Sequence, residues 1–181
     1  MGALVYLLFF PQQTGRMQVE RIDVKDKTGH PRVVISNQDL IPPPLLGGKT
    51  FERQVTPAGL IFYDEQGNER GGIALSRNNN THINALAFDY SNADAVGLVA
   101  IDETDTEYYK SGLIINQKDP SGKIGANINR INLITENGNA GLEIKDEKEV
   151  VRLRLEVDSL GTPSVKLFDA QGKPGKTLEL N

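Results

Sequence analysis

The chain has 181 residues, 38% of them apolar and 24% charged, with no long run of one sign, which suits one folded domain and excludes a disordered class. Its net charge of −4 argues against nucleic acid as a partner, because that ligand calls for a basic face or stripe. With no cysteine, disulfides, thiol catalysis and thiolate metal sites are excluded, and no phosphate loop, dinucleotide fingerprint or metal-histidine spacing points to a cofactor.

Residues Ala3 to Phe10, ALVYLLFF, form an apolar run closed by Pro11. A membrane-crossing helix needs about 20 apolar residues, and this run lacks the basic flank and cleavage site of a secretory signal. Tyr6 stands where a myristoylation motif requires Ser or Thr. Two readings remain: a first strand or plug on the core, or the trailing end of a membrane anchor. The expected organisation is a hydrophobic segment over residues 1–16 and one all-β domain over residues 17–181.

Along that domain, apolar residues stand four and two positions before a recurring aspartate, the period of a strand with one buried face. The segments end at Asp26, Asp64, Asp102, Asp146 and Asp169, and the first three aspartates are 38 residues apart. This spacing predicts a duplicated unit of two hairpins. Asp26-Lys27-Thr28-Gly29, Asp64-Glu65-Gln66-Gly67, Asp119-Pro120-Ser121-Gly122 and Asp169-Ala170-Gln171-Gly172 share one corner chemistry. Aspartate accepts backbone N–H groups there, and glycine takes positive φ. An arginine follows the corner at Arg32, Arg70 and Arg152. Further strands are expected over residues 32–36, 71–76, 83–90, 111–116, 127–135, 151–157 and 176–180, with almost no helix.

Strand glycines at Gly59, Gly97, Gly112 and Gly141 predict strong curvature. The expected fold is an antiparallel meander of about twelve strands, closed like a barrel so that few edges stay unpaired. A small four-bladed propeller is the alternative, and a trimeric hairpin stack a third. Residues 37–56, with three prolines at 42–44, read as a long surface loop that either carries function or merely connects.

Candidate chemistry is sparse. His30 reads as a turn residue and His82 as the start of a strand, and neither adjoins a carboxylate, so a nucleophile–base triad has little support. The acidic stretch Asp102 to Glu107 offers oxygen ligands for calcium but also falls on the corner repeat, which favours a solvated turn. Tyr108 and Tyr109 suit an edge, a core or a binding platform. No catalytic or metal residue is assigned. The ligand-binding residues are left open.

Two stretches carry a resemblance. Gly29-His30-Pro31-Arg32-Val33-Val34-Ile35-Ser36-Asn37 and Ala58-Gly59-Leu60-Ile61-Phe62-Tyr63-Asp64-Glu65-Gln66-Gly67-Asn68-Glu69-Arg70-Gly71-Gly72 resemble an uncharacterised family of bacterial proteins with R-V-I-S-N and A-G-L-x-F-x-D-x-x-G-x-E-x-G-G stretches. The resemblance covers residues 20–75. It implies a bacterial source and an extracytoplasmic or membrane-anchored location, and brings no activity. The expected function is therefore a non-enzymatic binding or scaffolding module of the envelope. Its partner would be another protein or a small apolar ligand, with membrane association through residues 3–10 and homo-oligomerisation as further expectations. The alternatives are a lipocalin-like barrel, with a cavity lined by residues such as Leu60, Phe62, Leu86 and Phe88, and a hydrolase built on His30 or His82.

Overall fold

The computed structural model describes residues 16–53 and 55–179. The strands are β1 (Arg21–Lys25), β2 (Pro31–Ser36), β3 (Leu45–Leu46), β4 (Lys49–Thr50), β5 (Ala58–Tyr63), β6 (Glu69–Asn78) and β7 (Thr81–Asp89). There follow β8 (Asp94–Glu103), β9 (Tyr109–Lys118), β10 (Asn127–Glu136), β11 (Asn139–Lys145), β12 (Val151–Val157), β13 (Pro163–Phe168) and β14 (Pro174–Glu179). Among the described residues there is no helix. Twelve strands form one antiparallel sheet in the order β1-β2-β5-β6-β7-β8-β9-β10-β11-β12-β13-β14, and β3 and β4 make a separate small hairpin.

The all-β meander matches the sequence reading; the closure does not. The order runs from β1 to β14 with each strand beside its successor, so the sheet is neither a barrel nor four blades. Both edges resist further pairing. β1 is short and carries Arg21, Asp23 and Lys25, while β14 opens on Pro174 and carries Lys176. Charge and proline are what keep an edge strand from recruiting another.

Register sorts the side chains into two faces, since directly opposed residues in an antiparallel pair point the same way. One row runs Ile22, Ile35, Leu60, Ile73, Leu86 and Leu98 across the first six strands of the sheet. It continues through Leu113, Leu133, Leu142, Leu155, Val165 and Leu178. Each strand contributes one aliphatic residue. Beside it runs Val24, Val33, Phe62, Gly71, Phe88, Val96, Ile115, Ile131, Ile144, Leu153 and Leu167. The opposite face is small in the middle, with Gly72, Ala87 and Gly97, and polar later, with Asn132, Glu143, Arg154 and Lys166.

Six hairpins turn at one end of the sheet, and each last strand residue or corner there is an aspartate: Asp26, Asp64, Asp89, Asp119, Asp146 and Asp169. At Asp64 the carboxylate Oδ1 accepts from the Gln66 and Asn68 N–H groups at 3.0 and 2.8 Å. The Gly67 N–H donates to the Asp64 carbonyl at 3.1 Å. Arg70 closes the corner by donating to Oδ2 from Nε at 2.9 Å and Nη2 at 2.8 Å. Asp146 repeats this with Lys148, Val150 and Arg152, and Asp26 with Thr28, His30 and, more loosely, Arg32. The recurring arginine is thus the second half of the corner. Asp158 forms the same corner at the other end with Leu160 and Thr162, a further D-x-x-G copy whose sequence, Asp158-Ser159-Leu160-Gly161, carries the same signal.

The 38-residue register is corrected. Asp102 lies inside β8, which runs opposite in direction to β5, so it sits at the end of the sheet away from Asp64. It is no corner. The structural repeat is a single hairpin: from Asp64 the aspartates follow after 25, 30, 27 and 23 residues, at Asp89, Asp119, Asp146 and Asp169. The first interval is longer because it contains residues 37–56.

That loop is a cover rather than a free connection. Ile41 packs on Val34, Ile61 and Tyr63, the buried apolar residues among those described. Arg53 holds the cover down through Glu69 at 2.5 Å and the Pro42 carbonyl at 2.7 Å, and Arg21 bonds the Leu40 carbonyl at 2.8 Å. Burial pushes the Tyr63 phenol up to about 12, with the Glu69 charge adding to it.

Two stability predictions follow from this geometry. Asp64→Ala orphans two backbone N–H groups and one guanidinium, and denaturant unfolding should show a loss of about 1–3 kcal/mol. At Gly71, φ is 128° and a Cβ would lie 2.2 Å from the Ala87 carbonyl oxygen. Gly71→Ala should therefore cost more than about 2 kcal/mol in the same measurement, and a neutral result would contradict the close approach of β6 and β7.

Candidate functional site

The largest unexplained feature is the apolar face itself. Leu75, Leu98 and Leu133 are each more than half exposed, at 54%, 53% and 53%, as is Leu178 at 55%. Isolated exposed leucines are ordinary, but a contiguous apolar patch of this length marks an interaction surface. Two hollows lie along it. One, of about 650 Å³, is lined by Ile73, Leu75, Leu86, Leu98, Leu113 and Leu133 among others, and the next, of about 590 Å³, by Leu142, Leu155, Val165 and Leu178 among others. They share Leu133, Ala140 and Gly141. Together they form an open trough.

The cavity residues proposed from the sequence divide. Leu86 lines the first hollow. Leu60, Phe62 and Phe88 stand on the same face outside both hollows. The two rings lean over Gly71, which lies between them in register, and stack at 6.1 Å between centroids. Beside the trough the Ser111 and Thr135 hydroxyls bond one another at 3.0 Å.

The other face is built differently. Glu143 and Arg154 pair at 2.5 Å, Arg154 reaches Glu156 at 3.8 Å, and Lys166 reaches Glu156 at 3.7 Å. These are partly exposed pairs in a network, of the kind that contributes little stability one by one. They keep this half of the face wet and soluble.

Neither histidine assembles a triad. The His30 Nδ1 lies 3.0 Å from the Glu65 carbonyl and 3.2 Å from the Thr28 hydroxyl, and that hydroxyl bonds Asp26 at 2.6 Å. The hydroxyl thus sits between carboxylate and imidazole, whereas nucleophile activation needs the imidazole in the middle. His82 faces Arg77 and Asp102 in register on β7. The acidic stretch uses its oxygens locally: Glu103 accepts from Thr106 at 2.9 Å, and Asp105 from Asn80. Among the described residues no three His, Cys, Asp or Glu side chains gather as a metal site. Tyr108 donates to Glu136 at 2.9 Å, and the Tyr109 N–H to the Asn137 side chain at 3.0 Å. Both belong to the β8–β9 end.

One titratable group stands out. Burial pushes the Asp89 carboxyl up to about 7, and the charge and hydrogen bond of neighbouring Asp94 add to the effect. Among the described residues its Oδ1 has no partner, nor has Oδ1 of buried Asn92 beside it in the same turn. The Asn92 amide N–H groups instead hold the next corner through the Lys123 and Ala126 carbonyls, at 3.1 and 2.7 Å.

No family model matches the chain, and no curated protein matches it either.

The Asp89 shift sets a direction for pH dependence. Its folded value lies above the unfolded one, so the folded protein keeps a proton that the unfolded chain has lost between about pH 4 and pH 7. Stability from this site is therefore present at the acid end and declines as pH rises toward 7. The corner carboxylates act oppositely and lower down. Asp26, held by Thr28, and Asp158, held by the Thr162 N–H, lie below the ordinary range and lose their contribution only as pH falls below about 4. Asp89→Asn should flatten the slope of the unfolding midpoint between about pH 4 and pH 7. An unchanged slope would show that Asp89 is charged in the folded protein.

Proposed function

We propose that this chain is a non-enzymatic binding or scaffolding module whose working surface is the apolar face of the sheet. The observation that carries the reading is the uninterrupted aliphatic row, one residue on each of twelve strands, left without a covering layer among the described residues. A sheet buries its hydrophobic face against another element in every stable layered architecture. Among the described residues the covering layer reaches only the opposite face, near Val34, Ile61 and Tyr63. The bacterial-envelope setting is part of the proposal and rests on the resemblance over residues 20–75 and on the apolar run at residues 3–10, which lies outside the described residues.

Binding of a small apolar ligand is the second reading, favoured by hollows of about 650 and 590 Å³ in the size range of ligand sites. Their openness fits it less well than a closed cavity would.

The absence of native cysteine makes the test direct. Leu98→Cys and Leu133→Cys report on the apolar face, and Lys166→Cys on the other. In the native full chain, a water-soluble thiol reagent should modify the first two at least about tenfold more slowly than the third. Equal rates would mean that the face stands bare and would sink the proposal.

A further inference from the structure

We infer that the covering layer is a second copy of this chain, packed face to face on the aliphatic row. The inference rests on the reading of the apolar face as a binding surface and identifies what binds there.

Length decides first. At about 4.8 Å per strand, twelve strands extend for roughly 55 Å, and the two apolar rows with their margins are about 14 Å wide. A plane of about 800 Å² per copy is what a standard stable interface buries on each partner. A ligand filling one hollow would leave most of the row wet, from Ile22 and Ile35 at one end to Leu178 at the other. A partner must be as long as the sheet, and an identical sheet is.

Chemistry decides next. The two rows hold no charged residue across the whole sheet, so the partner surface must be apolar and uncharged too. This face meets that description itself. Two such sheets packed about 10 Å apart interdigitate their inward side chains as a β-sandwich does. A lipid surface fits poorly. The hairpin corners at one end of the strands are aspartates, and the net charge is −4, so an anionic headgroup layer would be repelled.

The edges exclude the other route to self-association. Arg21, Asp23 and Lys25 on β1, and Pro174 and Lys176 on β14, oppose strand addition. Copies therefore meet through the face and not by extending the sheet, which makes the contact isologous and closed at two.

The experiment is the sedimentation mass of the full chain. The wild type should sediment at twice the 19.8 kDa chain mass. The double variant Leu98→Asp/Leu133→Asp should sediment as a 19.8 kDa monomer, while Lys166→Asp leaves the wild-type mass unchanged. A monomeric wild type, or a dimer that Leu98→Asp/Leu133→Asp leaves intact, overturns the inference. Thiol protection at Leu98→Cys then separates the two claims. A protected face on a monomeric chain keeps the binding surface and gives it another occupant, such as a lipid chain, whereas an unprotected face removes both.

Discussion

Everything about this chain depends on holding one register phase across twelve strands. Side chains alternate with a period of two, so a slip of one residue anywhere would carry an entire strand's aliphatic residues to the other face. The slips that do occur are confined. Register shifts fall at Val24/Lys25, Phe62/Tyr63, Phe88/Asp89, Asn129/Ile131, Ile144/Lys145 and Lys166/Phe168. All six lie toward the aspartate-corner end of the sheet, five of them beside a corner and the Asn129/Ile131 shift three residues into β10. An extra residue taken up at a corner leaves the phase beyond it intact. The bulges thus protect the row instead of breaking it, and the added twist they bring is concentrated on one end.

The corner chemistry explains why bulges are tolerated there. A bulge leaves N–H groups without ladder partners, and the aspartate Oδ1 collects two of them in a charge-assisted contact. Burial works against the charge at Asp64, but Asn68 and Arg70 outweigh it and hold the carboxyl below its ordinary value. The Asp146 corner takes positive φ at Glu149, 63°, where the others use glycine. The hydrogen-bond pattern, more than the glycine, therefore defines the corner. Asp89 is the exception that has lost this arrangement. Its turn is shorter, with four residues between β7 and β8 against five at Asp64, its carboxyl meets Asp94 instead of an arginine, and its Oδ1 goes unpaired among the described residues.

Much of the fold was legible in residue pattern. Val151–Val157 reads as a strand in sequence and is one in the structure, and apolar residues before Asp26, Asp64, Asp146 and Asp169 are members of the two rows. Closure was not legible. Curvature can be inferred from glycines such as Gly112, whose Cβ would lie 2.2 Å from the Leu133 carbonyl oxygen, but the same glycines serve a curved sheet whether it closes or stays open. The difference lies in the edge strands, where proline and charge act by preventing a pairing. Asp102 misled because sequence spacing carries no strand direction. The segment before it matches the others in pattern while running the opposite way through the sheet. The trough was half visible. Leu86 was named from alternation alone, but alternation says which residues share a face and not what covers it.

The contrast between edges and face is the last constraint. A single-layer sheet has two ways to associate, through its unpaired backbone and through its apolar side chains, and the two produce different objects. Edge addition is open-ended and leads to fibres; face packing buries both surfaces and stops. This chain invests its charges at the edges and along the Glu143–Arg154–Glu156–Lys166 side, and none in the aliphatic rows. Had those charges been placed in the rows, the face would be soluble and the edges free to propagate. The arrangement present inverts that, leaving one surface on which association is favourable and self-limiting.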